Sequence, residues 1–359
     1  MKVIKIDKNK WADGVEKLRG TYSLIGPVRE KFYHIFATLD SGQMPDMEYV
    51  NSRISPKYVI YPQSEIILQC SMDENDENYK IYHEPEDKNY EQKAVLGIRP
   101  CDADSLPLVR RNFDTDEYKD PYWLRAFETT TLVGLACDAP CPTCFCTSAG
   151  SGPYNDRNLD IMLVDNGDHY LAEILTEKGE KLAGAAGWKN NAEEDAAESI
   201  EKRKSEAESK IESKVNTENL AKQSLLDLYE AETIWEKAAF ACINCGTCTY
   251  ACPTCWCFDV QDEVHGKQSY RIRNWDSCMY PLFTIHASGH NPRGTKLDRL
   301  RQRFMHKLKY YVDKYEDGIQ CTGCGRCVQL CPVNIDIRRI CNMLNSYDPE
   351  SCTCEVTAS

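Results

Sequence analysis

Two cysteine runs with the same spacing constrain this chain more than any other feature. Each run has three cysteines separated by two residues, then a fourth cysteine after three more residues, followed directly by proline. The first run contains Cys242, Cys245, Cys248 and Cys252, and the second contains Cys321, Cys324, Cys327 and Cys331. A loop with this spacing coils tightly enough to aim three thiolates to one side. Gly246, Gly323 and Gly325 fit such loops, because glycine tolerates positive φ and close backbone approach.

The spacing predicts two [4Fe–4S] clusters. The C-x2-C-x2-C-x3-C-P run holds such clusters in bacterial ferredoxins, where the fourth cysteine of each run binds the cluster of the other run. We therefore assign cluster site 1 to Cys242, Cys245, Cys248 and Cys331, and cluster site 2 to Cys321, Cys324, Cys327 and Cys252. Zinc is the alternative, because C-x2-C pairs also build tetrahedral zinc sites. Zinc explains neither the third cysteine of each run nor the repeated Cys-Pro.

Two predicted strands in the first half of the chain bring further cysteines to one sheet edge. Residues 94–98 and 131–136 are short apolar runs, as expected of strands covered on both faces. A helix is predicted between them, over residues 102–112, which gives a βαβ unit with parallel strands. Cys101 and Cys137 would then lie at the carboxyl ends of neighbouring strands, where ligands gather in open α/β sheets.

These cysteines lead to a third predicted [4Fe–4S] site. Cluster site 3 is assigned to Cys101, Cys137, Cys144 and Cys146. Cys141 is a rival ligand, and structural thiols or zinc are the alternatives.

A second Cys-Pro-Thr-Cys-x-Cys segment, at residues 252–257, repeats the pattern of residues 141–146. The repeat indicates either an extra metal site or two similar tight turns with thiols packed near the clusters. The extra site would use Cys255, Cys257 and Cys278. Near the C-terminus, Cys341, Cys352 and Cys354 are predicted to be spare.

The pattern of elements predicts an α+β protein with three parts. Residues 1–185 form an α/β domain with the third cluster site, residues 186–240 a charged, mainly helical linker, and residues 241–359 an α-helical two-cluster ferredoxin domain. The linker is predicted to contain helices over 191–215 and 220–241. In the first domain, residues 57–61 are predicted to be a strand. The helical form of the ferredoxin domain is favoured because 68 residues separate the two runs, far more than in a compact ferredoxin.

Composition narrows the functional class. A net charge of −13 argues against a nucleic-acid partner, which would need basic patches. No window approaches the eighteen or so apolar residues of a membrane span, so no membrane insertion is expected. The first residues lack the apolar region of a secretory signal. Twenty cysteines in such a chain therefore indicate metal or redox roles, and we expect a cytoplasmic protein of an anaerobe.

The most basic stretch lies between the two cysteine runs and has no assigned chemistry. It contains His286, His290, Arg293, Arg299, Arg301, Arg303 and His306. We interpret it as a helix face that docks on a partner or balances the charge of the clusters. A catalytic or anion-binding role is the alternative.

Taken together, these motifs resemble the beta subunit of cytoplasmic NiFe sulfhydrogenases and the iron–sulfur subunit of anaerobic sulfite reductase. The resemblance covers most of positions 90–340 and rests on segments in the same order. They are Arg-Pro-Cys-Asp at 99–102, Gly-Leu-Ala-Cys at 134–137, Cys-Phe-Cys at 144–146, Cys-Pro-Thr-Cys-Trp-Cys-Phe at 252–258, Arg-Asn-Trp-Asp-Ser-Cys at 273–278, Gly-His-Asn-Pro-Arg at 289–293 and the closing Cys-Pro. Cys141 and the charged segment 190–215 depart from the pattern.

The resemblance implies an iron–sulfur electron-transfer subunit in a complex. One partner would be a flavin-containing subunit that oxidises NAD(P)H. The other would be a catalytic subunit of hydrogenase, sulfite reductase or heterodisulfide reductase type. The alternative is a subunit that itself reduces a sulfur compound such as sulfite or polysulfide, with a redox thiol or extra cluster at Cys255, Cys257 and Cys278.

Overall fold

The computed structural model describes residues 2–85, 88, 90–189 and 196–349. The chain divides into two compact units, and each is discontinuous in sequence. Unit 1 comprises Met1–Pro140, Gly152–Lys210 and Cys255–Asp276, and unit 2 comprises Cys141–Ser151, Ile211–Thr254 and Ser277–Ser359. The contiguous division at residues 185 and 240 stays a prediction. Of the cysteines predicted to be spare, Cys352 and Cys354 lie outside the described residues.

Unit 1 holds every strand of the described residues. The strands are β1 (Lys2–Asp7), β2 (Ser23–Arg29), β3 (His34–Thr38), β4 (Ser64–Ser71), β5 (Lys93–Ile98), β6 (Thr130–Leu135), β7 (Ile161–Asp165), β8 (His169–Ile174), β9 (Phe258–His265) and β10 (Gln268–Trp275). Seven of them form one mixed sheet in the order β1-β8-β7-β6-β5-β2-β3. The central strands β2, β5, β6 and β7 pair in parallel, which confirms the parallel βαβ unit. Buried side chains fill β6 throughout, as expected for a strand covered on both faces.

The helices of unit 1 connect and cover these strands. They are α1 (Lys8–Leu18), α2 (Pro100–Ala103), α3 (Ser105–Arg110), α4 (Pro121–Glu128), α5 (Glu177–Ala186) and α6 (Ala196–Ser209). The helix predicted over 102–112 is thus two short helices. The helix predicted over 191–215 is described only from residue 196 onward, and it ends at Ser209.

One predicted strand was wrong. Residues 57–61 lie in and after a 3₁₀ turn, Pro56–Val59, rather than in a strand. Pro56 presets the φ of the first turn, and the Ser55 hydroxyl accepts a hydrogen bond from the backbone N–H of Lys57 at 3.3 Å. Local capping therefore overrode the β propensity of the β-branched and aromatic side chains.

A second, three-stranded sheet in unit 1 has the order β4-β10-β9, with antiparallel pairing throughout. Its β9–β10 hairpin comes from the segment between the two cysteine runs. The sequence analysis did not predict this hairpin, because its strands lack a clear alternation: β9 is exposed along nearly its whole length.

Unit 2 is helical, and its described residues contain no strand. Its helices are α7 (Leu225–Glu230), α8 (Glu232–Ala239), α9 (Thr247–Tyr250), α10 (Lys296–Met305), α11 (Tyr311–Tyr315), α12 (Arg326–Gln329) and α13 (Ile337–Asn345). A π-helical turn, His306–Tyr310, joins α10 to α11. The helix predicted over 220–241 is broken at Ala231, whose ψ of 65° is not helical. These two units confirm the predicted α+β class.

The core of unit 2 orients α10 towards the cysteine runs. Trp235 of α8, Phe304 of α10 and Leu344 of α13 are almost fully buried, and both α10 and α13 pack on α8. Thr295 and Asp298 form a capping box that begins α10, with the Thr295 hydroxyl accepting from the N–H of Asp298 at 3.2 Å. In the part of the chain that the structure describes, no helix is long and apolar enough to cross a membrane.

Candidate metal-cluster sites

The two cysteine runs of unit 2 fold into loops with the same local conformation. Asn244 and Gly323, which hold equivalent places in the two runs, both have left-handed φ values, of 55° and 64°. Gly246 and Gly325 are also equivalent, with φ of 73° and 74°, and each is followed at once by a four-residue helix, α9 or α12. The shared spacing therefore gives a shared backbone path, in which asparagine replaces glycine at one left-handed position.

The four cysteines assigned to cluster site 1 line a single cavity in unit 2. The cavity has about 480 Å³ of space not filled by protein atoms. Cys242, Cys245 and Cys248 of the first run line it, and so does Cys331, the fourth cysteine of the second run. The exchange of the fourth cysteine that the ferredoxin pattern predicts is thus present in the packing.

The walls of this cavity suit a thiolate-held cluster. Apart from the cysteines, its lining is mainly apolar and includes Met279, Leu300, Phe304 and Ile335. In the described residues, no three His, Cys, Asp or Glu side chains converge on a point as the ligands of one ion do. The thiolates of a cubane bind separate iron atoms, so a cluster does not require such convergence.

The environment differs sharply among the cysteines of cluster site 1. Burial, helped by the neighbouring cysteines, raises the pKa of Cys248 to about 11, although the charge of Arg303 acts in the opposite direction. Cys245 is exposed, and a hydrogen bond with the Thr247 hydroxyl lowers its pKa. Solvent therefore reaches this site at Cys245.

Cluster site 2 is more deeply buried. Cys321 and Cys324 are each 9% exposed and Cys252 is 7% exposed. Burial raises the pKa of Cys321 above its ordinary value, and the nearby Cys252 and Cys327 add to that effect, so Cys252 lies beside the second run. A chain of hydrogen bonds fixes it there: the Cys252 thiol contacts the Thr254 hydroxyl at 3.3 Å.

The Thr254 hydroxyl in turn donates to the carbonyl of Gln320, directly before the second run, at 3.0 Å. Cys252 is therefore tied to the second run, as cluster site 2 requires. The ligation itself stays a prediction for both sites.

The cysteines assigned to cluster site 3 belong to both units, and each unit is described by itself. In unit 1, Cys101 lies in α2 just after β5, and Cys137 follows the parallel neighbour β6, as predicted. The backbone N–H of Cys137 donates to the carbonyl of Pro153 at 2.9 Å. Both residues therefore lie at the carboxyl ends of adjacent strands.

In unit 2, Cys144 and Cys146 form a small buried cluster with Ile211, and Cys141 packs against it. A hydrogen bond with Cys146 lowers the pKa of the Cys144 thiol. The structure brings all three cysteines together, so Cys141 remains a rival ligand and the choice of four stays a prediction.

Sequence analysis missed that the segment Cys141–Ser151 belongs to unit 2 and packs on the second cysteine run. The backbone N–H of Phe145 donates to the carbonyl of Gly323 at 2.8 Å. A Cβ atom on Gly323 would lie only 2.5 Å from the carbonyl carbon of Phe145. A glycine between two cysteines of the run was the available signal, because it permits such close backbone approach.

The residues proposed for an extra site are also divided. Cys255 and Cys257 belong to unit 1, where Lys57 Nζ donates to the Cys255 carbonyl at 2.6 Å. Cys278 is a buried residue of unit 2, next to Ser277, whose hydroxyl contacts that of Thr249 at 2.8 Å. An extra metal site at these positions stays a prediction.

Comparison with known proteins gives two matches. A family model described as a 4Fe-4S dicluster domain matches residues 241–335. The chain is also 31% identical over 348 residues to sulfhydrogenase 2 subunit beta of Pyrococcus furiosus, an alignment that covers 94% of this chain and 96% of that protein. No solved structure matches.

Proposed function

The chain belongs to the family of sulfhydrogenase beta subunits, and from that premise we propose that it relays electrons between two partner subunits through at least two [4Fe–4S] clusters. The observation that carries the proposal is the cavity of unit 2, where three cysteines of the first run meet Cys331 of the second. A bound [4Fe–4S] cluster accepts and releases one electron at a time.

The residues of unit 2 supply what such a relay needs. Cluster site 1 reaches solvent at Cys245, so electrons can enter or leave there over a short distance. Cluster site 2 is enclosed, and its cysteines are held beside the first site by the exchange of Cys252 and Cys331. One exposed site and one buried site, joined through shared loops, suit a one-way path better than a substrate pocket.

We further propose the identity of the partners. The relative is by name a sulfhydrogenase subunit, which favours a catalytic partner of hydrogenase type over the sulfite reductase and heterodisulfide reductase types. A flavin-containing NAD(P)H-oxidising subunit would lie at the other end of the relay. Cluster site 3 would extend the relay from Cys101, Cys137, Cys144 and Cys146, and we place the complex in the cytoplasm.

The test is the metal content of the native complex, purified without oxygen. Two clusters correspond to about eight irons for each copy of this chain and three to about twelve. Iron and acid-labile sulfide in equal amounts are expected. About four zincs with little iron would refute the proposal in favour of structural zinc.

Two cysteine variants then test the assignment of ligands. Cys331→Ser should alter the electron paramagnetic resonance signal of the cluster held by the first run, because Cys331 lines that cavity. Cys341→Ser is the matched control: this thiol is 1% exposed in the same unit but lies outside both runs. Alteration of the second-run cluster alone by Cys331→Ser would contradict the exchange.

A further inference from the structure

Three buried basic side chains lie along one face of the helical segment that follows Thr295 in unit 2. Arg299, Arg303 and Lys307 are spaced four residues apart, which puts them on the same side of a helix. They are only 7%, 4% and 3% exposed. Cations buried this deeply are costly unless negative charge or several acceptors oppose them. We refer to these three residues as the basic stripe.

The first member of the basic stripe contacts the first cysteine run. With the Asn244 amide turned so that both of its ends are satisfied, its oxygen accepts from Arg299 Nη2 at 2.6 Å and Nε at 3.1 Å. Asn244 lies between the first two cysteines of that run. Arg299 Nη1 also donates to the carbonyls of Arg293 and Gly294, both at 3.0 Å. These carbonyl contacts give Arg299 a structural role that the other two members do not share.

The middle member lies between the two runs. Arg303 Nη2 donates to the carbonyl of Cys248, a cluster site 1 residue, at 3.4 Å. Its guanidinium also forms a side-chain hydrogen bond with the thiol of Cys327, a cluster site 2 residue, and lowers the pKa of that thiol. One cation therefore acts on a cysteine of each site.

The last member faces only cysteines of cluster site 2. Lys307 Nζ donates to the Thr254 hydroxyl at 2.7 Å and to the Gln320 carbonyl at 3.4 Å. Its charge lowers the pKa of both Cys321 and Cys327. The basic residues that the sequence analysis singled out did not include Lys307, although its position four residues after Arg303 was a usable signal.

We propose that Arg303 and Lys307 set the reduction potentials of the two clusters, Arg303 acting on both and Lys307 on cluster site 2 alone. The proposal rests on the proposed function. Each cluster gains one negative charge on reduction, so a fixed cation beside its thiolates favours the reduced form and raises the potential. Burial opposes reduction, because it disfavours the more highly charged form. The two cations thus offset the deep burial of cluster site 2.

The variants are Lys307→Met and Arg303→Gln, with Lys307→Arg to keep the charge. Lys309→Met is the matched control, because Lys309 is 2% exposed in the same π-helical turn. Its ammonium donates to the Leu220 carbonyl at 3.0 Å and pairs with Asp313 at 2.8 Å. Removing this cation perturbs the fold to a similar degree without removing charge from the cysteine runs.

The measurement is an anaerobic redox titration of the complex followed by electron paramagnetic resonance. The signal of cluster site 2 is identified as the one that Cys252→Ser alters. Lys307→Met should make reduction of that cluster about tenfold less favourable, a shift of about 59 mV to lower potential for one electron. Arg303→Gln should lower both potentials, and Lys307→Arg and Lys309→Met should leave both in place.

Equal shifts in Lys307→Met and Lys309→Met, or unchanged potentials in Arg303→Gln, would overturn the inference. If Lys307→Met does not assemble its clusters, the comparison of Arg303→Gln with Lys307→Arg decides, because only the first removes a charge. A native complex without two [4Fe–4S] signals would instead refute the proposed function. The two failures are therefore distinguishable.

Discussion

Replacing Gly323 with alanine tests whether the second cysteine run holds the segment that carries Cys144 and Cys146. Gly323 has φ of 64°, and a Cβ there would lie 2.5 Å from the carbonyl carbon of Phe145 and 2.6 Å from the backbone nitrogen of Cys146. Both atoms are backbone, so no side-chain rotation relieves the overlap. The segment Cys141–Ser151 itself must move.

A second glycine provides the matched control. Gly318 lies in the same unit with φ of 65°, and a Cβ there would meet no atom within 4 Å. Either substitution costs about 1–2 kcal/mol for a left-handed alanine. Only Gly323→Ala also breaks the 2.8 Å hydrogen bond from Phe145, worth about 1 kcal/mol.

Displacement of Phe145, which is 2% exposed, adds a further cost. Complete truncation of a buried phenylalanine costs about 3–5 kcal/mol, so partial loss of its packing adds about 1 kcal/mol or more. The two variants should therefore differ by about 2 kcal/mol, which is roughly 30-fold in an opening equilibrium.

The assay is the rate at which visible absorbance is lost when the purified protein is held without oxygen in dilute guanidinium chloride. Absorbance loss reports release of clusters, and the rate follows the fraction of open molecules when reclosing is fast. Gly323→Ala should lose absorbance about 30-fold faster than Gly318→Ala. Equal rates would refute the view that this contact holds the segment in place.

Two further predictions concern pH and the extra thiols. Burial and the charges of Lys307 and Arg293 lower the pKa of His306 from 6.5 to about 4, so the folded protein binds fewer protons than the unfolded chain between these values. Stability should be full above about pH 6.5 and fall by up to about 3 kcal/mol towards pH 4; His306→Gln should flatten this part of a plot of urea midpoint against pH, and an unchanged slope would contradict the assignment. Cys255→Ser and Cys278→Ser should leave electron relay between partners intact if these thiols are structural; loss of sulfur-compound reduction by the isolated chain, with clusters retained, would favour the enzymatic alternative.

Features that depend on short stretches of chain were predictable. The C-x2-C-x2-C spacing acts over seven residues, so both loops could be inferred from letters alone, and the structure shows equivalent left-handed positions in each. The apolar runs at 94–98 and 131–136 likewise predicted parallel strands, which β5 and β6 are. In both cases neighbouring residues supply most of the determining interactions.

Other features depended on contacts between distant residues. The hairpin Phe258–Trp275 gave no clear strand pattern, because its first strand is exposed along nearly its whole length. The strand expected at 57–61 was a capped turn instead. Helix propensity over 220–241 did not reveal the break at Ala231. Tertiary packing outweighs local preference wherever that preference amounts to a fraction of a kilocalorie per residue.

The sequence by itself determined the donor set: paired thiolate runs, their loop conformation and the family to which they belong. Tertiary structure alone decided which thiols share a cavity with Cys331, which run supports the segment Cys141–Ser151, and which of the many basic residues are buried. The physical reason is range. Ligand type and loop geometry follow from covalent spacing, whereas the charge and solvent exposure that tune a cluster come from side chains, such as Arg303, that only folding brings beside it.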